Sequence, residues 1–144
     1  PDDRQLVIKI HPLDNGLEHW FSTVPALAQE FRIKERVEMI KGGDLSHCII
    51  LSKGVLTVNS TVGIHALRAG VPTYAWGSAV YDVPGLTHQG DLETFWTSPE
   101  VVDPRLFADF ERAVSTIQIK GSFYNKAGQV NAVLEICNRL EQQG

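Results

Sequence analysis

The chain has 144 residues, 43% of them apolar and 21% charged, with a net charge of −4. That length fits one domain with one sizeable core. The acidic balance argues against a duplex nucleic-acid binder, which shows a basic excess, and no apolar run approaches the roughly 20 residues that span a bilayer.

The chain begins at Pro1 and enters an apolar run almost at once, which is expected of a piece of a longer polypeptide. Gln5 to Ile10 reads as a strand buried on both faces. His11-Pro12-Leu13-Asp14-Asn15-Gly16 follows as a loop, punctuated by Pro12 and Asn15-Gly16. Glu18 to Phe31 has helical spacing, with Trp20, Leu27 and Phe31 predicted inward. Pro25 predicts a kink, or a helix starting near Ser22 or Thr23. Arg36 to Ile40 is a second strand, closed by Lys41-Gly42-Gly43. Asp44 can cap a short helix through Leu51. Val55 to Val58 is a third strand, and Thr61 to Ala69 a helix that Gly70 and Pro72 stop. Pro72 to Trp76 is a fourth strand.

Strands therefore alternate with helices, which favours parallel pairing. The fold class is α/β: a Rossmann-like, doubly wound parallel sheet flanked by helices, with extra C-terminal helices. The Gly-x-Gly-x-x-Gly fingerprint is missing after the first strand, which argues against an ordinary NAD site.

Gly77 to Gly90 is a long loop, a length that often carries function. Asp91 is predicted to cap a short helix bearing Phe95 and Trp96. Asp103-Pro104 starts another that reaches about Ile117, with Leu106, Phe107, Phe110 and Val114 at core spacing. Gly121 to Asn125 is a break. A final helix, from about Lys126 to Gln142, is expected to bury Val130, Val133, Leu134, Cys137 and Leu140. Cys48 and Cys137 read as buried small hydrophobes in a reducing compartment.

In open α/β sheets, ligands bind outside the carboxyl ends of the strands. The four strand ends carry His11-Pro12, Lys41-Gly42-Gly43, Asn59-Ser60-Thr61 and Trp76-Gly77-Ser78, and one sheet would converge them on one edge. Asn59-Ser60-Thr61 joins a β-branched strand to a helix, where unpaired N–H groups and the helix dipole favour an anion. Ser60 and Thr61 add hydroxyls, although plain N-capping explains them too. Gly63 lets a backbone or ligand approach closely. His11 can donate to a phosphate oxygen, with Pro12 fixing the chain behind it. Lys41-Gly42-Gly43 is either a turn or a surface for a nucleoside. Lys9 reads equally as a snorkelling amine or a site cation. His65 reads as packing, His19 and His47 as surface or packing groups, and His88 is evenly a site or surface group. Asp14 and Asp82 are possible acid–base groups, Asp82 doubling as a turn former. Neither a Gly-x-Ser-x-Gly elbow nor a P-loop is present. The residues bind an anion better than they break a bond.

Four stretches together are similar to one known family: His11-Pro12-Leu13-Asp14, Val58 to Gly63, Tyr81 to Gly90 with Phe95-Trp96, and Gln118-Ile119-Lys120-Gly121-Ser122-Phe123-Tyr124. They resemble, in the same order, capsular polysaccharide biosynthesis and export proteins of the KpsS/LipB type. The resemblance covers about residues 5 to 125. It implies a glycosyltransferase, cytoplasmic and peripheral at the inner membrane, with a GT-B fold of two Rossmann-like domains. The enzyme would move Kdo from CMP-Kdo, with retention, onto a lysophosphatidylglycerol or Kdo-lipid acceptor. On this resemblance residues 1–144 are the CMP-Kdo-binding C-terminal domain. The catalytic carboxylate would lie in the other domain, so the fragment alone is expected to be inactive. His11, Ser60 and Thr61 would contact the CMP phosphate. Asn59 and Gly63 would shape that turn, and Lys41, Gly42 and Gly43 would lie near cytidine. His11 would also have a catalytic part at the departing phosphate. The implied partners are CMP-Kdo, the lipid acceptor, the N-terminal domain and other capsule proteins, with no nucleic acid, no cofactor and no metal. Two alternatives stay open: a non-catalytic capsule export or assembly module, and a GT-B transferase using another nucleotide sugar.

Overall fold

The computed structural model describes residues 4–122 and 125–142. Pro1 and the Phe123-Tyr124 end of the fourth motif lie outside the described residues. The chain divides into two compact units, Pro1–Val102 and Asp103–Gly144.

In the first unit, strands and helices alternate as β1 (Leu6–Ile10), α1 (Trp20–Glu30), β2 (Val37–Lys41), α2 (Leu45–Leu51), β3 (Val55–Thr57), α3 (Val62–Arg68), β4 (Thr73–Ala75) and α4 (Leu92–Thr97). A single 3-10 turn, Lys34–Arg36, precedes β2. Arg32, at φ 56°, makes the reversal before it. The second unit holds α5 (Pro104–Ile117) and α6 (Lys126–Glu141).

The α/β class and the parallel pairing agree with the sequence pattern. β1 runs parallel to β2 with Leu6 opposite Val37 and Ile10 opposite Lys41. β3 runs parallel to β4 with Val55 opposite Thr73 and Thr57 opposite Ala75. The continuous four-stranded sheet does not form: the described strands make two two-stranded sheets. β3 ends at Thr57. The Ser60 N–H turns back onto Thr57 Oγ1 at 3.2 Å, so the chain bends just beyond Val58, whose carbonyl still accepts from Gly77 N at 2.9 Å.

The core of the first unit lies where α2 and α3 meet β3. Ile49, Ala66 and Val71 are buried there, with Leu45, Val55 and Val62 against them. The amphipathic spacing of α3 accounts for Ala66 and Leu67 facing inward together.

Four burial expectations are corrected. Leu6 and Val7 on β1, neighbours that point to opposite faces, are both exposed, so neither face is fully covered at the start of the strand. On α1, Trp20, Leu27 and Phe31 are exposed and Ala28 is buried. The inward stripe runs instead through half-buried Val24 and Ala28, four residues apart, so the large side chains fall on its flanks. The helix starts at Trp20 and contains Pro25, earlier than Ser22 or Thr23. On α6, Val130, Val133, Leu134, Cys137 and Leu140 are all exposed. Its small-residue face, Gly128 and Ala132, takes the backbone of Gly121 and Ser122 instead; a Cβ on Gly121 would lie 2.6 Å from Ala132 N. Cys48 is half-buried, and both cysteines are free thiols.

Within the second unit, Phe107 is buried and stacks on Phe110 at 6.2 Å, as the spacing of α5 predicts. Arg139 of α6 donates to the Ile117 and Gln118 carbonyls at 2.7 and 2.8 Å, satisfying groups at the end of α5.

The predicted caps form. Asp44 accepts from Ser46 N at 2.8 Å, Asp91 from Thr94 N at 2.8 Å, and Asp103 from Arg105 N at 2.8 Å. Backbone bonds, from Ser46 first at Asp44 and from Thr94 first at Asp91, hold both carboxyls below the ordinary 3.8. A depressed carboxyl stabilises the fold fully above its unfolded value. That contribution is lost as pH falls below 3.8 through the lower folded values. Thermal unfolding across the acid range should therefore show a stability loss that Asp91→Asn, which keeps a capping oxygen without the charge, makes shallower. An unchanged acid limb in that variant would exclude Asp91 as a contributor.

Candidate functional site

The predicted site residues gather into two clusters at the carboxyl ends of the two strand pairs. The first follows β1 and β2. Because Ile10 stands opposite Lys41, His11-Pro12 and Gly42-Gly43 leave neighbouring strands at the same level. Lys9 donates to the Gly42 carbonyl, so it ties one strand end to the other rather than standing as a free cation. Gly42 and Gly43 both have positive φ, 105° and 78°, which side chains rarely adopt.

The His11 ring is exposed, and its Nδ1 accepts the Leu13 N–H at 3.1 Å. Nδ1 is thus an acceptor, and the neutral ring carries its proton on Nε2. The rest of the loop satisfies itself: Asp14 Oδ1 accepts from Gly16 N at 2.9 Å, and Asn15 Oδ1 from Leu17 N at 3.1 Å. These short bonds, with Pro12, hold the loop without using the His11 Nε2 side. Asp14 serves the turn by this bond. Beside the loop lies an open pocket of about 400 Å³, lined among others by Ile10, Asp14, Glu18, Trp20 and Lys41. Its volume is within the range of small-ligand sites.

The second cluster follows β3 and β4. Trp76 N donates to Thr57 O and Gly77 N to Val58 O, at 2.8 and 2.9 Å, which lays Trp76-Gly77 beside the start of the Asn59-Ser60-Thr61 turn. Ser60 Oγ accepts from Val62 N at 3.2 Å, the capping contact foreseen from sequence. Its hydroxyl proton is still available to donate. Thr61 makes no side-chain cap bond, and it and Asn59 are exposed. Gly63 is buried, and the space beside it is filled by protein: a Cβ there would lie 2.4 Å from the Tyr81 ring. So Gly63 admits Tyr81, not an incoming ligand.

Sequence reasoning gave Tyr81 no role. It is 2% exposed, and its hydroxyl donates to Ser60 O at 2.6 Å. The signal was divided between two distant places, a glycine in one turn and a tyrosine in the loop after β4. That loop is braced from within. Thr87 Oγ1 donates to Asp82 Oδ1 at 2.7 Å, and Gln89 Nε2 donates to Thr87 Oγ1 at 2.9 Å. Asp82 is therefore a loop staple. His88 is neither a surface nor an open site group: it is 4% exposed, meets Thr94 Oγ1 at 3.0 Å, and packs against Tyr74 and Phe95. Its buried ring anchors the loop to α4. His65 is exposed rather than packed, and His47 pairs with Asp44 at 3.3 Å.

Each cluster thus offers donors for an anion: the His11 Nε2–H in one, the Ser60 and Thr61 hydroxyls in the other. Among the described residues, no hydrogen bond joins the clusters, no group of three or more His, Cys, Asp or Glu could hold a metal ion, and no helix is long and apolar enough to cross a membrane.

Residues 1–124 match the model of a family described as capsule polysaccharide biosynthesis protein. The chain is 36% identical over 110 residues to the capsule polysaccharide export protein KpsS of Escherichia coli, an alignment covering 76% of this chain and 28% of that protein. It is 32% identical over 128 residues to the capsule polysaccharide modification protein LipB of Neisseria meningitidis serogroup A, covering 88% of this chain and 30% of that protein. LipB of serogroup B matches to the same extent, 32% over 128 residues. The chain thus spans under a third of the length of these relatives, 28% to 30%. No solved structure matches it.

Proposed function

The chain belongs to the capsule polysaccharide biosynthesis protein family, and from that premise we propose that it is the donor-binding part of a Kdo transferase. In this reading the full-length protein moves Kdo from CMP-Kdo to a lysophosphatidylglycerol or Kdo-lipid acceptor, at the cytoplasmic face of the inner membrane. The part described here holds the CMP leaving group. The supporting observation is His11. Its Nδ1 is committed to Leu13 N, so the exposed ring has a single donor left, Nε2–H, just after β1, in a loop whose Ile10 and Asp14 line a pocket of about 400 Å³.

The chemistry follows from charge. As the bond from the sugar to the CMP phosphate breaks, negative charge collects on the phosphate oxygens. A fixed donor at that place stabilises the transition state more than the ground state. His11 Nε2–H is such a donor; passing a proton to the departing phosphate would need the imidazolium, formed with Nδ1 released from the Leu13 N–H. Ser60 and Thr61 add hydroxyl donors, and Asn59 extends the same turn. Lys41 lines the pocket where the nucleoside would lie, and Gly42 and Gly43 follow it at the end of β2. Pro12 limits the loop motion that would blur the position of His11.

The word "export" in the name of the Escherichia coli relative favours a second reading, a non-catalytic assembly module. A transfer assay separates the two. Full-length protein incubated with labelled CMP-Kdo and a lysophosphatidylglycerol acceptor should release CMP and form labelled lipid. Tight nucleotide binding without any transfer or CMP release would support the assembly module and contradict the enzyme.

A further inference from the structure

The Tyr81 side chain crosses from the loop after β4 to the turn after β3, 21 residues earlier in the chain. Its ring lies against Gly63, where a Cβ would be 2.4 Å away, and its hydroxyl meets Ser60 O at 2.6 Å. The same carbonyl accepts from Gly63 N at 3.0 Å. Two donors therefore fix one carbonyl. No peptide bond here is cis, so the Ser60 C=O and the Thr61 N–H point in opposite directions across their shared plane. A carbonyl held on buried Tyr81 leaves the Thr61 N–H aimed away from Tyr81, and the Thr61 residue is exposed. Burial pushes the Tyr81 phenol above its ordinary value, so it keeps the proton that it donates. The loop behind Tyr81 carries further bonds of its own, Thr87 Oγ1 to Asp82 and His88 to Thr94, that do not reach the turn.

We infer that Tyr81 is a positioning residue for donor binding: its hydroxyl sets the Ser60–Thr61 peptide so that Thr61 faces the phosphate of the nucleotide. This rests on the donor-binding reading above, and it adds that the loop after β4 controls the turn without touching the ligand.

Two variants of the full-length protein test it. Tyr81→Phe keeps the ring against Gly63 and removes only the hydroxyl. Thr87→Val removes a buried hydroxyl in the same loop that does not reach the turn. Both should lower the unfolding temperature. Measured calorimetrically with CMP, Tyr81→Phe should weaken affinity about tenfold, the size of one lost hydrogen bond, and Thr87→Val should leave it unchanged. Equal affinities for Tyr81→Phe and the parent would overturn the inference, as would an equal loss in Thr87→Val, which would mark a general effect of loop stability. A parent protein that does not bind CMP would sink the donor-binding reading. Hydrogen exchange then decides the Tyr81 clamp by itself: faster exchange at the Gly63 amide in Tyr81→Phe supports it, and unchanged exchange refutes it.

Discussion

Replacing His11 by alanine in the full-length protein should lower Kdo transfer by about 100-fold or more while leaving the fold intact. The size follows from removing a donor at a place where transition-state charge develops, which typically costs factors of 10² to 10³. The intact fold follows from the structure. His11 is exposed, and the Leu13 N–H that its Nδ1 accepts can pass to water. β1 is held by its ladder to β2, from Leu6 opposite Val37 to Ile10 opposite Lys41, which the side chain does not enter. His11→Asn and His11→Gln refine the reading. Each keeps an N–H donor but has no titrating proton. If electrostatic stabilisation dominates, one of them should restore part of the activity; if proton transfer dominates, neither should. A stable His11→Ala protein with near-normal transfer would remove His11 from the mechanism.

Gly63→Ala should be the most costly small substitution near the turn, destabilising by about 2 kcal/mol, in the range for forcing extra carbon into a filled site. The new methyl would stand 2.4 Å from the ring carbon and the oxygen of Tyr81. Tyr81 is 2% exposed and bonded at its hydroxyl, so the ring has little room to withdraw. A double-mutant cycle identifies the cause. On a Tyr81→Ala background the cost of Gly63→Ala should fall close to zero, since residues in contact couple strongly. Chemical unfolding of the four proteins measures the coupling. Additive costs would show that the penalty comes from the helix backbone and not from the ring.

Much of the framework was legible in the residues. Asp44, Asp91 and Asp103 each announce a helix, because a carboxylate before an apolar run has free N–H groups to accept from, and each caps one. Gly70 and Pro72 end α3 for reasons equally local. What depends on partners distant in sequence was not legible. One sheet was expected from the alternation of strands and helices, but the described strands pair as β1 with β2 and β3 with β4 in two separate sheets. Helical spacing marks an apolar stripe on α6 without saying whether that stripe or the Gly128–Ala132 face is covered.

The candidate site divides the same way. Its residues were found from their positions at strand ends. Their partners were not: Lys9 on the Gly42 carbonyl, Tyr81 on Ser60 and His88 on Thr94 are all contacts made by folding. Each of these side chains could have been read as a ligand group, and each proves to hold another part of the protein. That leaves exposed His11 and Thr61, and half-buried Ser60, as the donor groups for which no such contact is described.

The central claim is that the chain holds a cytidine nucleotide through these donors. The most direct measurement is a titration of isotopically labelled protein with CMP and, separately, with UDP, followed by backbone amide and His11 ring signals. The account predicts that CMP shifts the His11 ring and the amides of residues 59–63 and 41–43 in a saturable way, and that UDP does so far less. Equal or greater shifts with UDP, or CMP shifts confined to other parts of the chain, would contradict it.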